Sequence, residues 1–435
     1  MSVLNNFTVS IAKGIRRLRQ SSELCDRLSG RRQHVSNEPR LKLDKCLIVS
    51  KVTRYEYEKH SHDNIADAEL EKILRKRGSD YDSMISNHRE QKSFEEGVAK
   101  SLKEMGLQVE MATRLTYNDE LINWCDVVVP VGGDGTFLLA ASRVRDANKP
   151  VIGFNSAPHK SVGRLCLPTW CSNDVKGALH ALKEGRFRWM RRSRIRTTIT
   201  CEPKLLDTIT PVDLHTLHYC RYPPVQNPLD SPDSPTKKQT NFNTDDNSST
   251  LATKVLPFLA LNEVFIGESV TSRVSLLRLQ IDNGKWTHTK SSGLCVTTGT
   301  GSTSWHYSIN CLRTHSVLEL MKILGEDYNM KMETTLEKAR EVAEKYNQKL
   351  MFPADSEYLA YSVREYITFE EWPTPRGLRV RDRAGAVRVR SHCTDAGLVV
   401  DGSVSFPFND GTEALLEIHP EDSLMTVQMD DALPY

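Results

Sequence analysis

Residues 126–144 read DVVVPVGGDGTFLLAASRV, an apolar run followed by a glycine-rich turn and an apolar helical pattern. The turn is Gly132-Gly133-Asp134-Gly135-Thr136. Glycines let the backbone approach a ligand closely, and the first N–H groups of a helix have no partner within the helix. A strand, a tight turn and a helix in direct succession therefore favour a bound phosphate.

Asp134 is unusual in such a turn, because its negative charge repels a phosphate. A carboxylate is expected there if it orients or deprotonates an attacking hydroxyl during phosphoryl transfer, or if it holds a metal. The alternative is a plain β-turn in which Asp134 caps the following helix. The turn alone leaves both interpretations open.

Length and composition limit the class of protein. A chain of 435 residues is too long for one ordinary core, so two domains are expected. Charged residues make up 26% and the net charge is +2, which predicts a soluble protein and does not favour nucleic acid as a partner. No apolar run reaches the roughly 18 residues of a membrane helix. The ten cysteines include no C-x-x-C pair, which favours a reducing compartment and argues against structural zinc.

The first residues have a composition of their own. Several basic residues precede the first acidic residue, Glu23, and apolar residues recur at helical spacing: Lys13, Arg16, Arg17 and Arg19, with Leu4, Phe7, Ile11, Ile15 and Leu18. This pattern is typical of a mitochondrial transit peptide, although a disordered tail or a surface helix would also be consistent with it. Residues 1–40 are therefore expected to lie outside the folded core.

Residues 41–190 alternate between strand and helix patterns. Buried strands are predicted at 46–52, 109–115, 126–132 and 150–155, and helices at 65–78, 89–105 and 172–184. Gly106 should end the second helix, and Ser172 or Asn173 should cap the third. Such alternation predicts a parallel α/β sheet, in which ligands bind beyond the carboxyl ends of the strands. Asp134 and Asn155 both fall at that edge.

Residues 191–435 are predicted to form a β-rich domain with an inserted helical segment. Strand patterns occupy 187–200, 256–266, 274–282, 293–298, 377–401 and 413–428, and the helical pattern covers 317–350 with a break near Gly325. Residues 222–250 are rich in Pro, Asn, Asp, Ser and Thr, which predicts a flexible insertion. The fold class is thus α/β, an N-terminal parallel α/β domain plus a β-rich C-terminal domain, with the last residues able to return to the first domain.

Two further motifs carry polar groups inside apolar strands. Leu261-Asn262-Glu263-Val264 places an amide and a carboxylate where burial is costly unless both are hydrogen-bonded, and together they can hold the vicinal hydroxyls of a ribose. A turn, or an edge strand with its polar side in water, is the alternative. Residues 297–305, TTGTGSTSW, form another loop of small residues that a ligand can approach closely. Trp305 could stack on an aromatic ring or simply pack in the core.

With these motifs in this order, the chain resembles the NAD kinase family over roughly residues 42–435, and within it the mitochondrial branch. The resemblance rests on GGDGT at 132–136, LNEVFIGE at 261–268 and SSGLCVTTGTGSTSW at 291–305, with VVDG at 399–402 and FNDG at 408–411. GGDG also occurs in lipid kinases and phosphofructokinases, whereas the Asn-Glu strand followed by the TGTGST loop separates this family from both. The resemblance implies an active site between the two domains, and a homodimer.

The resemblance also implies a role for each matching residue. Asp134 would be the base that activates the 2′-hydroxyl of the adenosine ribose of NAD. The turn residues that would meet the phosphates of ATP are Gly132, Gly133, Gly135 and Thr136. The residues that would bind NAD are Asn155, Asn262, Glu263, Thr300, Gly301, Ser302 and Thr303, with Asn262 and Glu263 holding its ribose and nicotinamide end.

The function implied is ATP-dependent phosphorylation of NAD to NADP in the mitochondrial matrix. Mg²⁺ would be carried by ATP and water, without a dedicated set of protein ligands. Two other functions stay open. A lipid kinase of the diacylglycerol or sphingosine type would need an apolar channel and no ribose-binding pair. A non-catalytic NAD sensor could use the same fold, but the presence of Asp134 argues against it.

Three positions depart from the common bacterial pattern of the family. Ser292 stands where many members of the family have the Asp of an Asp-Gly-Leu sequence, and Trp305 stands where they have Tyr. Residues 156–164, SAPHKSVGR, replace a short glycine-containing turn. These changes affect the binding of the nicotinamide end and leave Asp134 untouched. They look like features of the mitochondrial branch.

Overall fold

The computed structural model describes residues 41–214, 251–367 and 378–430. The transit peptide expected at 1–40 and the polar insertion expected at 222–250 lie outside these ranges. Within them, no helix combines the length and the apolar composition that crossing a membrane requires.

Four parallel strands form the N-terminal sheet, in the order β2-β1-β3-β4. Their bounds are β1 (Lys45–Ser50), β2 (Gln108–Thr113), β3 (Val127–Gly132) and β4 (Phe154–Asn155). The inner strands β1 and β3 are mostly apolar, with four valines in β3, and are buried along almost their whole length. The predicted parallel α/β sheet is therefore confirmed.

Seven helices accompany this sheet within residues 41–190. They are α1 (Arg54–Ser61), α2 (Asp67–Lys76), α3 (Tyr81–Glu104), α4 (Asp119–Trp124), α5 (Asp134–Arg143), α6 (Thr169–Asn173) and α7 (Val175–Lys183). The helix predicted at 89–105 begins earlier, at Tyr81, because the side chain of Asp80 caps it by accepting the N–H of Ser83 at 3.0 Å. It ends as predicted beside Gly106, which has a φ of +85°.

The helix predicted at 172–184 is present as α7 (Val175–Lys183), but its predicted start and its predicted cap are wrong. The chain forms α6 and α7 with Asp174 between them, and the carboxylate of Asp174 accepts the N–H of Gly177 at 2.9 Å. Asp174 is therefore the cap of α7, and neither Ser172 nor Asn173 has that role.

The C-terminal part contains two antiparallel sheets. One has the order β11-β10-β15-β18-β6-β8 and the other β14-β13-β12-β9-β16-β17-β7. Apolar residues of both sheets, such as Leu277 and Val389 of the first and Ile266 and Val296 of the second, share one core. The strands are β5 (Arg188–Arg192), β6 (Ile195–Cys201), β7 (Val212–Asp213), β8 (Ala252–Val255), β9 (Glu263–Glu268), β10 (Ser275–Ile281), β11 (Thr287–Ser291), β12 (Gly293–Thr297), β13 (Leu359–Arg364), β14 (Arg381–Ala384), β15 (Ala386–Ser391), β16 (Ala396–Val400), β17 (Val404–Pro407), β18 (Glu413–Ile418) and β19 (Leu424–Gln428).

The β-rich part follows the prediction in kind and differs in its boundaries. The stretch 256–266 becomes a strand only at Glu263, and 187–200 divides into β5 and β6. The inserted helices are α8 (Pro203–Leu206), α9 (Trp305–Asn310), α10 (Thr314–Glu326) and α11 (Leu336–Gln348). α10 and α11 form the predicted helical segment and pack through Val317, Met321, Ala339 and Ala343.

A buried arginine joins the parallel sheet region to the C-terminal segment. Arg194 is 0% exposed. Its Nη1 donates to the carbonyl oxygens of Val144 at 2.6 Å and Ala141 at 3.3 Å, at the end of α5, and its Nε donates to that of Asp422 at 2.6 Å. β19 follows this turn, pairs with β5, and accepts the N–H of Val151 through the carbonyl of Met425 at 2.9 Å.

Arg194→Met is expected to lower the free energy of unfolding by about 3 kcal/mol, because buried carbonyl groups lose their donors. Arg196→Met is the matched control, since Arg196 pairs with Glu421 and Asp422 nearer the surface, where such pairs contribute about 1 kcal/mol or less. Urea denaturation of the three proteins measures the difference. Equal losses in the two variants would contradict the assigned role of Arg194.

Candidate active site

The glycine-rich turn follows β3 without a break. Gly133 is extended, with φ −96° and ψ −169°, and α5 begins at Asp134 with no side-chain cap from the described residues. A Cβ atom at Gly132 would lie 2.3 Å from Oγ1 of Thr136, so the folded turn admits only glycine there. A Cβ at Gly135 would contact nothing within 4 Å, which leaves this face of the turn open to a ligand.

The Asp134 carboxylate is held by a neighbouring loop. Its oxygens accept the backbone N–H of Leu165 at 2.9 Å and of Arg164 at 3.2 Å. Asp134 is the first residue of α5 and binds this loop, so it is not the cap of its own helix. The side chain is only partly buried, which keeps it accessible to a substrate hydroxyl.

Asn155 lies beside the turn, since β3 and β4 pair Gly132 with Asn155. Its Nδ2 donates to the carbonyl of Ser161 at 3.0 Å, and its Oδ1 accepts the N–H of Ala157 at 3.1 Å and the hydroxyl of Ser161 at 3.3 Å. Both ends of the amide are therefore engaged in holding the loop 156–161. The contact with NAD that the resemblance implies for Asn155 stays a prediction.

Asp401 organises the Asn-Glu motif. Its carboxylate accepts three consecutive backbone N–H groups, from Leu261 and Asn262 at 2.8 Å each and from Glu263 at 3.1 Å. Asp401 belongs to the VVDG motif and has a φ of +47°, which turns its side chain back onto this segment. The sequence showed the motif, but not this role.

The two side chains of the motif have polar atoms without partners. Oδ1 of Asn262 and Oε2 of Glu263 are buried and form no hydrogen bond with the described residues. Burial, reinforced by the charge of Asp401, raises the pKa of Glu263 to about 8. Burial raises the pKa of Asp401 to about 6, although its backbone donors and the charge of Arg194 act to lower it. Groups of this kind are ready to bind hydroxyls of a ligand.

The loop after β12 packs directly against this motif. Oγ1 of Thr298 donates to the carbonyl of Leu261 at 2.6 Å, and Oγ1 of Thr297 donates to that of Asn262 at 2.9 Å. A Cβ at Gly301 would lie 2.2 Å from the Asn262 carbonyl oxygen, so glycine is required for this close approach. Ser302 and Thr303 hydroxyls donate to carbonyls within the loop, at Gly299 and Thr300 respectively. The second and third motifs thus form one unit.

Arg192, which sequence reasoning missed, contacts this unit through Thr300 and is affected by the charge of Asp134 in the glycine-rich turn. Its Nη1 donates to Oγ1 of Thr300 at 3.3 Å, and its Nε is buried without a partner among the described residues. Burial lowers the pKa of Arg192, while the negative charge of Asp134 acts in the opposite direction. A cation that contacts Thr300 and senses the charge of Asp134 can stabilise charge on a transferring phosphoryl group. Basic residues in an alternating strand ordinarily face solvent, so nothing in the pattern of 187–200 marked Arg192.

Two of the three departures from the family pattern, Trp305 and Ser292, have local partners. The ring of Trp305 stacks on Phe265, with centroids 4.6 Å apart, and Arg364 lies over it at 5.9 Å. The hydroxyl of Ser292 donates to the carboxylate of Glu365. Trp305 therefore packs on a protein ring and is only partly buried.

Comparisons with known proteins show which chains this one is similar to. The family described as "ATP-NAD kinase N-terminal domain" matches residues 41–186. The chain is 36% identical to "NAD kinase 2, mitochondrial" of Homo sapiens over 388 residues, which is 89% of this chain and 84% of the human one. It is 36% identical to the Rattus norvegicus protein of the same name, over 88% of this chain and 87% of that one. The solved structure of an Archaeoglobus fulgidus NAD kinase in complex with ATP is 15% identical, with a TM-score of 0.44, over 88% of this chain and 92% of that chain.

The fold and the three motifs describe an α/β protein that has a glycine-rich turn at the start of a helix and a buried Asn-Glu pair with unpartnered polar atoms. Sequence identity above one third, over most of this chain and most of each relative, is enough to assign a family. The chain belongs to the NAD kinase family.

Glu263→Gln is expected to remove part of the pH dependence of stability. Because the pKa of Glu263 is about 8 in the folded chain and near 4.5 ordinarily, the folded chain holds a proton in this range that the unfolded chain has lost. The free energy of unfolding therefore falls as pH rises through this window, and the variant should avoid that fall.

Urea denaturation at about pH 6 and about pH 9 measures this effect. Glu120→Gln, at an exposed position of α4, should keep the pH dependence of the parent. If Glu263→Gln also keeps it, the buried carboxyl is not the source.

Proposed function

We propose that the protein transfers the terminal phosphoryl group of ATP to the 2′-hydroxyl of the adenosine ribose of NAD, giving NADP. The observation that carries the proposal is the placement of Asp134. Its carboxylate is fixed at the open N-terminus of α5, and its charge acts on Arg192, which donates to Thr300 in the loop that packs on Asn262 and Glu263. Family membership supports the choice of substrates.

Asp134 acts as the general base in this reaction. A ribose hydroxyl is a weak nucleophile, so a positioned carboxylate that accepts its proton favours attack on the γ-phosphorus. The new bond forms between the 2′-oxygen and phosphorus, and the bond to ADP breaks. Arg192 faces the charge that develops on the phosphoryl oxygens, while the uncapped start of α5 presents N–H groups to them.

Asn262 and Glu263 bind the hydroxyls of NAD. Their unpartnered Oδ1 and Oε2 atoms are the acceptors, and Asp401 holds the backbone that carries them. The Thr300–Thr303 loop lines the same site, with Gly132, Gly133, Gly135 and Thr136 at the phosphates. A lipid kinase would not need this pair, and a sensor would not need Asp134.

Mg²⁺ enters with ATP. Among the described residues, no group of three or more His, Cys, Asp or Glu side chains could hold a metal ion. The proposal places the ion on phosphate oxygens and water, with Asp134 as the carboxylate of the turn. When bound, the ion neutralises charge on the phosphates.

Asp134→Asn should retain NAD binding and lower turnover at least about a hundredfold, because an amide cannot accept the hydroxyl proton. NADP formation and calorimetric NAD affinity are measured on both proteins. Asp146→Asn, at an exposed turn, is the matched control and should behave as the parent does. Turnover within a few-fold of the parent would remove Asp134 from the role of base, and a parent that forms no NADP would favour the sensor.

The protein is proposed to act in the mitochondrial matrix. The basic, amphipathic composition of its first residues supports this location, as does the similarity to relatives named mitochondrial. A fluorescent protein fused after residues 1–45 should accumulate in the matrix, and one fused after residues 46–90 should not. A cytosolic distribution of the first fusion would contradict the proposal.

A homodimer is proposed as the working form. The family resemblance supports it, together with the apolar side chains that α10 and α11 expose. Leu320 is 52% exposed, Ile323 47% and Leu336 45%. Apolar residues exposed together in this way favour burial against another surface.

A further inference from the structure

A cavity of about 550 Å³ lies at one end of the ribbon that β5 forms with β19. Its walls are Trp170 in α6, Ala181 and residues 185–188 from the end of α7 to the start of β5, and residues 428–430 at the end of β19. Arg192 lies at the opposite end of β5, and no residue proposed to bind NAD or ATP lines this cavity. The volume is within the range of small-molecule sites.

Aromatic and apolar side chains form part of the cavity wall. Trp170 and Phe187 are only half-buried, whereas Met429 is 6% exposed. The indole N–H of Trp170 donates to the carbonyl of Asp430 at 2.9 Å, and the ring of Phe187 packs edge-on against Trp189 with centroids 4.9 Å apart. Both rings are therefore held in place before a ligand arrives, and their exposed surface favours a flat apolar body.

Two arginines line the same cavity and keep N–H donors for a ligand. Nε of Arg186 donates to Glu184 at 2.7 Å, and Nη2 of Arg188 donates to Asp430 at 3.3 Å. Both pairs are exposed, so water screens them and they contribute little to stability. Each guanidinium has five N–H donors in a planar fork, so both have donors left that match a carboxylate.

Charge and shape together select the class of ligand. Among the lining residues, two guanidinium groups stand against one carboxylate, that of Asp430, so the local charge favours an anion over a cation. An inorganic anion would leave the apolar surface of Trp170 and Phe187 in water, and a neutral hydrocarbon would leave the arginine donors unused. A planar ring that carries a carboxylate satisfies both parts of the wall.

We propose that this cavity binds a small aromatic carboxylic acid, with its ring against Trp170, Phe187 and Met429 and its carboxylate on Arg186 and Arg188. Binding is non-covalent and moves no proton, because an aromatic carboxylic acid is already ionised at neutral pH. The inference does not rest on the proposed function, since these side chains take no part in the proposed phosphoryl transfer.

The first test titrates the full chain with 2-naphthoate, with 2-naphthylmethanol as the probe that lacks the charge and acetate as the probe that lacks the ring. Saturation-transfer NMR and calorimetry should give a Kd on the order of 0.1 mM for 2-naphthoate, a typical affinity for a ligand of this size. The alcohol should bind at least about fivefold more weakly, and acetate should not bind. Saturating NAD or MgATP should leave the Kd for 2-naphthoate within about twofold.

The second test removes the two cations of the wall. Arg186→Ala combined with Arg188→Ala should weaken 2-naphthoate at least about tenfold and leave the alcohol within about twofold, because only the contacts to the carboxylate are lost. Both arginines are exposed, so the variant should fold as the parent does. Lys183→Ala combined with Arg145→Ala removes two exposed cations outside the cavity wall and is the matched control.

Phe187→Ala should weaken both naphthyl probes at least about fivefold, because both lose the same apolar contact, while circular dichroism reports an unchanged fold. Three results would overturn the inference: no binding of 2-naphthoate to the parent at millimolar concentration, its displacement by NAD or MgATP, or equal losses for the two naphthyl probes in the double arginine variant. A parent that binds 2-naphthoate and forms no NADP would overturn the proposed function and leave this site intact.

Discussion

The arrangement of the site depends on the hydrogen bonds made by Arg194, whose guanidinium is completely buried. It binds the carbonyl groups at the end of α5, whose other end carries Asp134, and it also binds the turn that leads into β19. Its positive charge stabilises the buried carboxylate of Asp401. A buried charge is tolerated only when hydrogen bonds and opposite charge surround it, so this group fixes several chain segments at once.

Asp401 extends that constraint into the site. By accepting three successive N–H groups it fixes the backbone of residues 261–263, and it simultaneously places a second carboxyl, that of Glu263, in a region of low polarity. Arg192 then binds the hydroxyl of Thr300 and is affected by the charge of Asp134. Arg194 and Asp401 thus fix the segments that carry the motifs, and neither is itself proposed to bind substrate.

Local patterns were enough to predict most of the framework. The apolar runs of β1 and β3 predict strands of a parallel layer, because few other structures are buried on both faces. The glycine after α3 predicts the end of that helix, because glycine adopts a positive φ readily. Strand β11, THTKS, was missed because its composition is polar, and the strand is defined by pairing with β10 across the sheet. The start of α3 was missed because the cap at Asp80 precedes a segment rich in charges. Arg192 and Arg194 could not be recognised, since a basic residue in an alternating strand ordinarily faces water. Only the folded chain shows that Arg194 is completely buried and that the Nε of Arg192 is buried as well.

The raised pKa of Glu263 gives the Asn-Glu motif a chemical property of its own. At neutral pH this carboxyl retains its proton, so the motif carries less negative charge than its composition suggests. A ligand hydroxyl that donates to the carboxylate stabilises the ionised form and therefore displaces that proton to solvent. Occupancy of the site is then coupled to proton release, and the heat of binding depends on the ionisation enthalpy of the buffer that takes up the proton.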